Sequence, residues 1–124
     1  MNKAKAVTAG QIGTYLEASA RAQTTVFYGD LAAHFALPPV TEAWMSHPLS
    51  GMFDELDIDD AKKARPFRTA LVISKEHNMP GPGFFKTVAR LCPKRPQPKT
   101  DMARMKMYVA EVTNLFQFYG NTSR

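Results

Sequence analysis

Ala70-Leu71-Val72-Ile73 is the longest unbroken aliphatic run in the chain, and it leads straight into Ser74-Lys75-Glu76-His77-Asn78-Met79-Pro80-Gly81-Pro82-Gly83. Four residues are far too few to span a bilayer, which takes roughly twenty. The run must therefore find its apolar surroundings inside a protein core. A short apolar run bounded by turn residues reads as a buried strand, and the pattern predicts one over Phe67 to Ser74. Gly81 and Gly83 free the backbone of the following loop, while Pro80 and Pro82 stiffen it. Phe84, Phe85, Val88 and Leu91 then continue as a second strand or a short helix, with helical spacing favoured after Phe85.

The elements before the strand are short because turn residues and prolines divide them. Thr8-Ala9-Gly10-Gln11 has the pattern of a capping box. The Thr hydroxyl accepts from the N–H three residues on, and the Gln side chain reaches back. Ile12, Tyr15, Leu16 and Ala20 then share one face of a helix over residues 9 to 22. Thr24 to Tyr28 is a short β-rich piece. Asp30 is the expected N-cap of a brief helix carrying Leu31, Ala32 and Phe35, which Pro38-Pro39 stops. Thr41 is expected to cap a turn through Trp44. Pro48 suits the first position of a third helix. Leu49, Met52, Phe53 and Leu56 give that helix its buried stripe, and the acids are expected on its solvated face.

Cys92 to Lys99 holds three prolines and three bases and reads as an extended linker. A last helix is expected over residues 100 to 120, ended by Gly120. Met102, Met105, Val109, Val112, Phe116 and Tyr119 recur along it at alternating spacings of three and four. That stripe packs either across its own domain or, as the sharper reading, against a second copy in a homodimer. The expected organisation is one domain, 1–124: a core at 8–91, the linker at 92–99 and the helix at 100–120.

Charge is distributed unevenly. Residues 41–60 hold six acids and no Lys or Arg, whereas residues 62–106 hold twelve bases against Glu76 and Asp101. A polyanion is the natural partner of such a segment, because each neutralised phosphate releases counterions. A solvated basic surface that offsets the acidic stretch is the alternative. With one cysteine no intrachain disulfide forms. The first ten residues lack the apolar core of a secretory signal. A cytoplasmic protein with no membrane partner is expected.

Two helices ahead of a strand and loop describe an α+β domain of winged helix-turn-helix type with a long C-terminal helix. In such a domain one helix can enter a major groove while the hairpin loop touches nearby phosphates. The segments "TVFYGDLAAHFALPP" and "RTALVISKEHNMPGPG", about residues 24 to 84, resemble the DNA-binding domain of O6-alkylguanine-DNA alkyltransferases and alkyltransferase-like proteins. The resemblance rests on Tyr28-Gly29-Asp30-Leu31-Ala32 and on the strand with its loop. It implies a winged-helix fold, Tyr28 near a phosphate of the target nucleotide, and the helix from Pro48 at the groove. Where that family carries Pro-Cys-His-Arg, this chain reads Phe67-Arg68-Thr69-Ala70-Leu71. An alkyl acceptor needs an activated thiolate, and neither Thr69 nor Ala70 supplies one, so alkyl transfer is not expected. His47 is the polar residue nearest the position of the family's recognition-helix arginine.

Other combinations are weaker. His34, His47, His77 and Cys92 lack metal-ligand spacing. Asp57-x-Asp59-Asp60 looks like the start of a calcium loop but lacks its glycine and closing Glu, and reads as a solvated acidic turn. Trp44 is expected in the core or as a base-stacking ring. No nucleophile and base pair up, so neither an enzyme nor a cofactor is expected. The expectation is a non-enzymatic nucleic-acid-binding protein, with duplex DNA favoured, in a regulatory or mobile-element accessory role. Phosphate contacts are assigned to Arg65, Arg68, Lys75, Lys86, Arg90, Lys94 and Arg95, and groove contacts to His77 and Asn78. The alternative is a protein–protein adaptor or inhibitor acting through the acidic helix or the C-terminal helix.

Overall fold

The computed structural model describes residues 7–40 and 44–121. Five helices surround a two-stranded parallel sheet, giving a small, mostly helical α+β domain. In order they are α1 (Ala9–Arg21), β1 (Val26–Phe27), α2 (Tyr28–His34), α3 (Pro48–Lys62), β2 (Val72–Ile73), α4 (Pro82–Leu91) and α5 (Asp101–Asn121). Short 3₁₀ turns cover Trp44–Ser46 and Arg68–Leu71. The expected cap at Thr41 lies outside the described residues.

The start of α1 follows from its sequence. Thr8 Oγ1 accepts from the Gln11 N–H at 3.2 Å, and Gln11 Oε1 accepts from the Thr8 N–H at 2.9 Å. Ile12, Leu16 and Ala20 are buried against α3 and α5. The second helix begins earlier than expected. Phe27 is its N-cap residue and Asp30 lies in its first turn, where a carboxylate suits the positive helix end. Pro48 opens α3 as expected, and His47 caps it: Nδ1 accepts from the Leu49 N–H at 3.1 Å while Nε2 donates to the Pro38 carbonyl at 2.7 Å.

The expected strand over Phe67 to Ser74 is replaced in its first half by a tight turn. Arg68, Thr69, Ala70 and Leu71 are all buried, but wound as a 3₁₀ turn and not extended as a buried strand. The turn aims Arg68 and Thr69 at the carboxylates of α3, and the Ala70 N–H bonds the Phe67 carbonyl at 3.0 Å. Only Val72 and Ile73 pair as strand, parallel to β1 in the register Val26↔Val72 and Phe27↔Ile73. An antiparallel wing is not formed among the described residues, because Pro82 to Leu91 is helix, with Pro82 in its first turn.

The last helix runs one residue past Gly120, which therefore does not cap it. Its buried face is Tyr108, Glu111, Val112, Leu115 and Tyr119. This is a 3.6-residue stripe, rotated from the expected heptad one. Met102 and Val109 are 70% and 51% exposed. No helix among the described residues is long and apolar enough to cross a membrane.

Candidate functional site

The acids of α3 occupy both of its faces. Asp54 and Glu55 face solvent, but Asp57 and Asp60 are buried. Asp60 follows Leu49, Phe53 and Leu56 at helical spacing, so it continues the apolar stripe inward. A buried carboxylate demands a cation and hydrogen bonds, and Arg68 supplies both. Its backbone N–H donates to Asp60 Oδ2 at 3.0 Å, and its Nε donates to Oδ1 and Oδ2 at 3.1 and 3.2 Å. Nη1 reaches Glu17 Oε2 on α1 at 2.8 Å. Arg65 donates to Asp60 at 3.0 Å and to Asp59.

This network corrects two assignments made from sequence. Arg68 is only 6% exposed, and Arg65 is held by two carboxylates, so both serve as internal cations rather than phosphate ligands. The Asp57-x-Asp59-Asp60 segment is likewise no solvated turn. Arg95, assigned to phosphate, pairs with buried Glu111 at 3.3 Å and lies 5.5 Å from the Phe67 ring centroid. It thereby pins the linker to the domain. The twelve bases thus do not act as one free set.

Lys75, Lys86, Arg90 and Lys94 are exposed and make no ion pair among the described residues. Lys75 rests over the Phe27 ring, 5.4 Å from its centroid. Next to it the loop closes on itself: the Ser74 N–H bonds the Met79 carbonyl at 3.0 Å, and the Asn78 N–H bonds the Ser74 carbonyl at 2.8 Å. Asn78 sits at φ 54°, a left-handed value that Asn tolerates. The side chains of His77 and Asn78 project from this compact turn, not from an extended wing.

Lys86 and Arg90 lie one turn apart on α4, and both border a cavity of about 540 Å³. The walls of this cavity are rings. Tyr28 from α2 meets Trp44 at 5.4 Å and 77°, and Trp44 meets Phe53 of α3 at 5.4 Å and 62°. Phe84 adds a further ring. Asp57 and Thr69 line the same cavity. The Thr69 hydroxyl donates to Asp57 Oδ1 at 2.6 Å, and Asp57 is 3% exposed. Burial is the main cause that pushes the Asp57 pKa up to about 7; the Thr69 hydrogen bond opposes it, and Asp60 and Asp54 reinforce it.

Tyr28, expected beside a phosphate, is in the wall. Its hydroxyl oxygen accepts from the Gly81 N–H at 3.2 Å, which leaves its own proton to donate. Burial pushes this phenol above its ordinary pKa, with Gly81 acting against the rise and Asp57 adding to it. Thr69 and Asp57 were absent from the sequence-based site. The available signal was helical spacing: Asp57 lies four residues after Phe53 and hence next to the buried stripe.

A second cavity, about 600 Å³, lies between the α3 end, the linker and α5, and Cys92 borders it. Its charged groups Asp60, Arg65, Arg95 and Glu111 are already paired with one another or with Arg68. No three His, Cys, Asp or Glu side chains among the described residues gather as a metal site. The chain matches no protein-family model, no curated protein and no solved structure.

Proposed function

We propose that the protein is a non-enzymatic nucleic-acid-binding protein, with duplex DNA as the favoured partner. We further propose that its helices α2 and α3 and the turn after β2 form a domain of winged-helix type, related to the DNA-binding domain of the alkyltransferase-like proteins. One observation carries the reading: Lys86 and Arg90, free of internal carboxylates, stand at the mouth of an aromatic-walled cavity that contains Tyr28. Cations at the mouth suit phosphates, and rings inside suit the faces of bases. Lys75 and Lys94 add charge, with His77 and Asn78 on the neighbouring turn. Exposed Asp54 borders the same cavity and, with Glu55, repels phosphates, so in this reading the phosphate is held on the α4 side of the opening, at Lys86 and Arg90. A regulatory or mobile-element accessory role is part of this proposal.

Fluorescence anisotropy with a labelled duplex across a salt series tests this. The logarithm of affinity falls linearly with the logarithm of salt, and removing both Lys86 and Arg90 lowers the slope by about two. An absence of binding at low salt rejects the reading.

A second reading rests on the exposed Met102, Met105 and Val109 of α5. These residues form an apolar stripe suited to a partner helix, in an adaptor or a homodimer. Sedimentation velocity decides the homodimer: a strict monomer at high concentration removes it.

A further inference from the structure

Asp57 and Asp60 lie one turn apart on α3 and are both buried, but only one of them is matched by cations. Asp60 pairs with Arg65 and Arg68. Asp57 makes no ion pair among the described residues and takes the Thr69 hydroxyl instead, at 2.6 Å. A carboxylate withdrawn from water without a cation is costly, so burial favours the neutral acid. Asp54 and Asp60, on either side of it along α3, add to that preference, while the Thr69 hydrogen bond and Arg68 act against it. Burial is the largest of these influences, and the carboxyl is held up to about 7. The Tyr28 phenol facing it from α2 is pushed above its ordinary value and stays neutral over the same range.

The charged groups that border the aromatic cavity, among the described residues, are Asp54, Asp57, Lys86 and Arg90. With Asp57 neutral the two cations outweigh Asp54. With Asp57 ionised the two signs balance. A cavity of about 540 Å³ is about 10 Å across when taken as a sphere, close to the Debye length of roughly 8 Å at physiological salt. Burial weakens the screening further, so the state of one wall is felt at the mouth. We propose that Asp57 is a built-in pH control on anion binding at this cavity: as a neutral acid it leaves the mouth cationic, and as a carboxylate it cancels that charge and loosens the hold of Lys86 and Arg90 on a phosphate. The inference rests on reading the mouth as a phosphate site. Binding is then tighter below neutrality and weaker above it. By linkage, a bound anion in turn favours the protonated acid.

The test measures the affinity of the full chain for a labelled DNA duplex by fluorescence anisotropy at pH 6 and pH 8, at one salt concentration. Histidines as a class lose charge over the same interval, so each variant is compared with the parent at the same pH. Asp57→Asn is expected to bind roughly threefold or more tightly than the parent at pH 8, with the advantage shrinking at pH 6. Asp54→Asn, which removes the exposed acid of the same lining, is expected to tighten binding alike at both pH values. Carbon-13 NMR of the Asp57 carboxyl follows the same event in the parent without any substitution. Its titration midpoint is expected near neutrality and is expected to rise when the duplex is bound. An Asp57→Asn to parent affinity ratio that is equal at the two pH values, or a carboxyl midpoint that the duplex leaves unmoved, overturns the inference while the nucleic-acid reading stands. Absence of duplex binding at pH 6 and low salt overturns both.

Discussion

Arg68 and Asp60 are joined twice over: the backbone N–H of Arg68 and its guanidinium both donate to the same carboxylate, at 3.0 to 3.2 Å. Main chain and side chain of the turn are therefore fixed to α3 by one acid. Glu17 extends the connection to α1.

Removing one partner of a buried pair costs about 3–5 kcal/mol when the other is left alone; here Glu17 and Asp59 still hold Arg68, and Arg65 still holds Asp60, so the loss is smaller. Asp60→Asn is expected to lose part of that amount, read as a lower urea midpoint. The double variant Asp60→Leu with Arg68→Met is expected to be more stable than Asp60→Leu alone, because it leaves no isolated charge in the core.

Two glycines should respond oppositely to alanine. A Cβ on Gly13 would stand 2.6 Å from Arg68 Nη1 and 3.0 Å from Leu56 Cδ2. The arginine cannot swing away without breaking its bonds to Glu17 and Asp60. Gly13→Ala is expected to cost about 1–3 kcal/mol, more than the helix-propensity gain offsets. A Cβ on Gly51, exposed on α3, meets nothing within 4 Å, so Gly51→Ala should gain about 0.5–1 kcal/mol. Thermal melts of the two variants bracketing the parent check both signs.

Asp57 sets a pH dependence. Its pKa rises from an ordinary 3.8 to about 7 on folding, so the folded state binds the extra proton. The stabilisation is complete below about pH 4 and is lost as pH rises through about 7, at a slope of about 1.4 kcal/mol per pH unit. The charged and titratable groups around it are Asp54 and Asp60 on α3, Arg68 on the turn and Tyr28 on α2. Asp57→Asn carries no proton to lose, and its oxygen still accepts from Thr69. Its stability relative to the parent should improve by about 2–3 kcal/mol between pH 5 and pH 8, followed by urea unfolding at both pH values. A constant difference would show that Asp57 is ionised throughout.

The linker makes a prediction of its own. Arg95 pairs with Glu111 and covers the Phe67 ring. Glu111 also accepts from the Phe67 N–H at 2.8 Å. Glu111→Ala should therefore cost more than Arg95→Ala, by about 1–3 kcal/mol, because it leaves a buried amide without a partner.

Local signals proved legible where one residue decides the outcome. Thr8 and Gln11 closed the box they spell, and Pro48 opened its helix. Leu49, Phe53 and Leu56 became buried as their spacing requires. What stayed hidden depends on partners distant in sequence. Phe67 to Leu71 looks like a strand until Asp57 and Asp60, eight or more residues earlier, draw Arg68 and Thr69 inward. The same pairing withdrew Arg65 and Arg68 from the basic surface, since charge along a sequence does not reveal which cations are neutralised within the fold. Tyr28, Lys86 and Arg90 were identified individually, but their meeting around one cavity depends on α2 and α4 converging.

The hydrogen bond from the Gly81 amide to the Tyr28 hydroxyl fastens the leading end of α4 to α2. Two residues of the cavity lining are thus tied directly to each other. An incoming ligand meets these two walls already joined, so little rearrangement between them should accompany its capture, with residence time governed by how quickly it is let go.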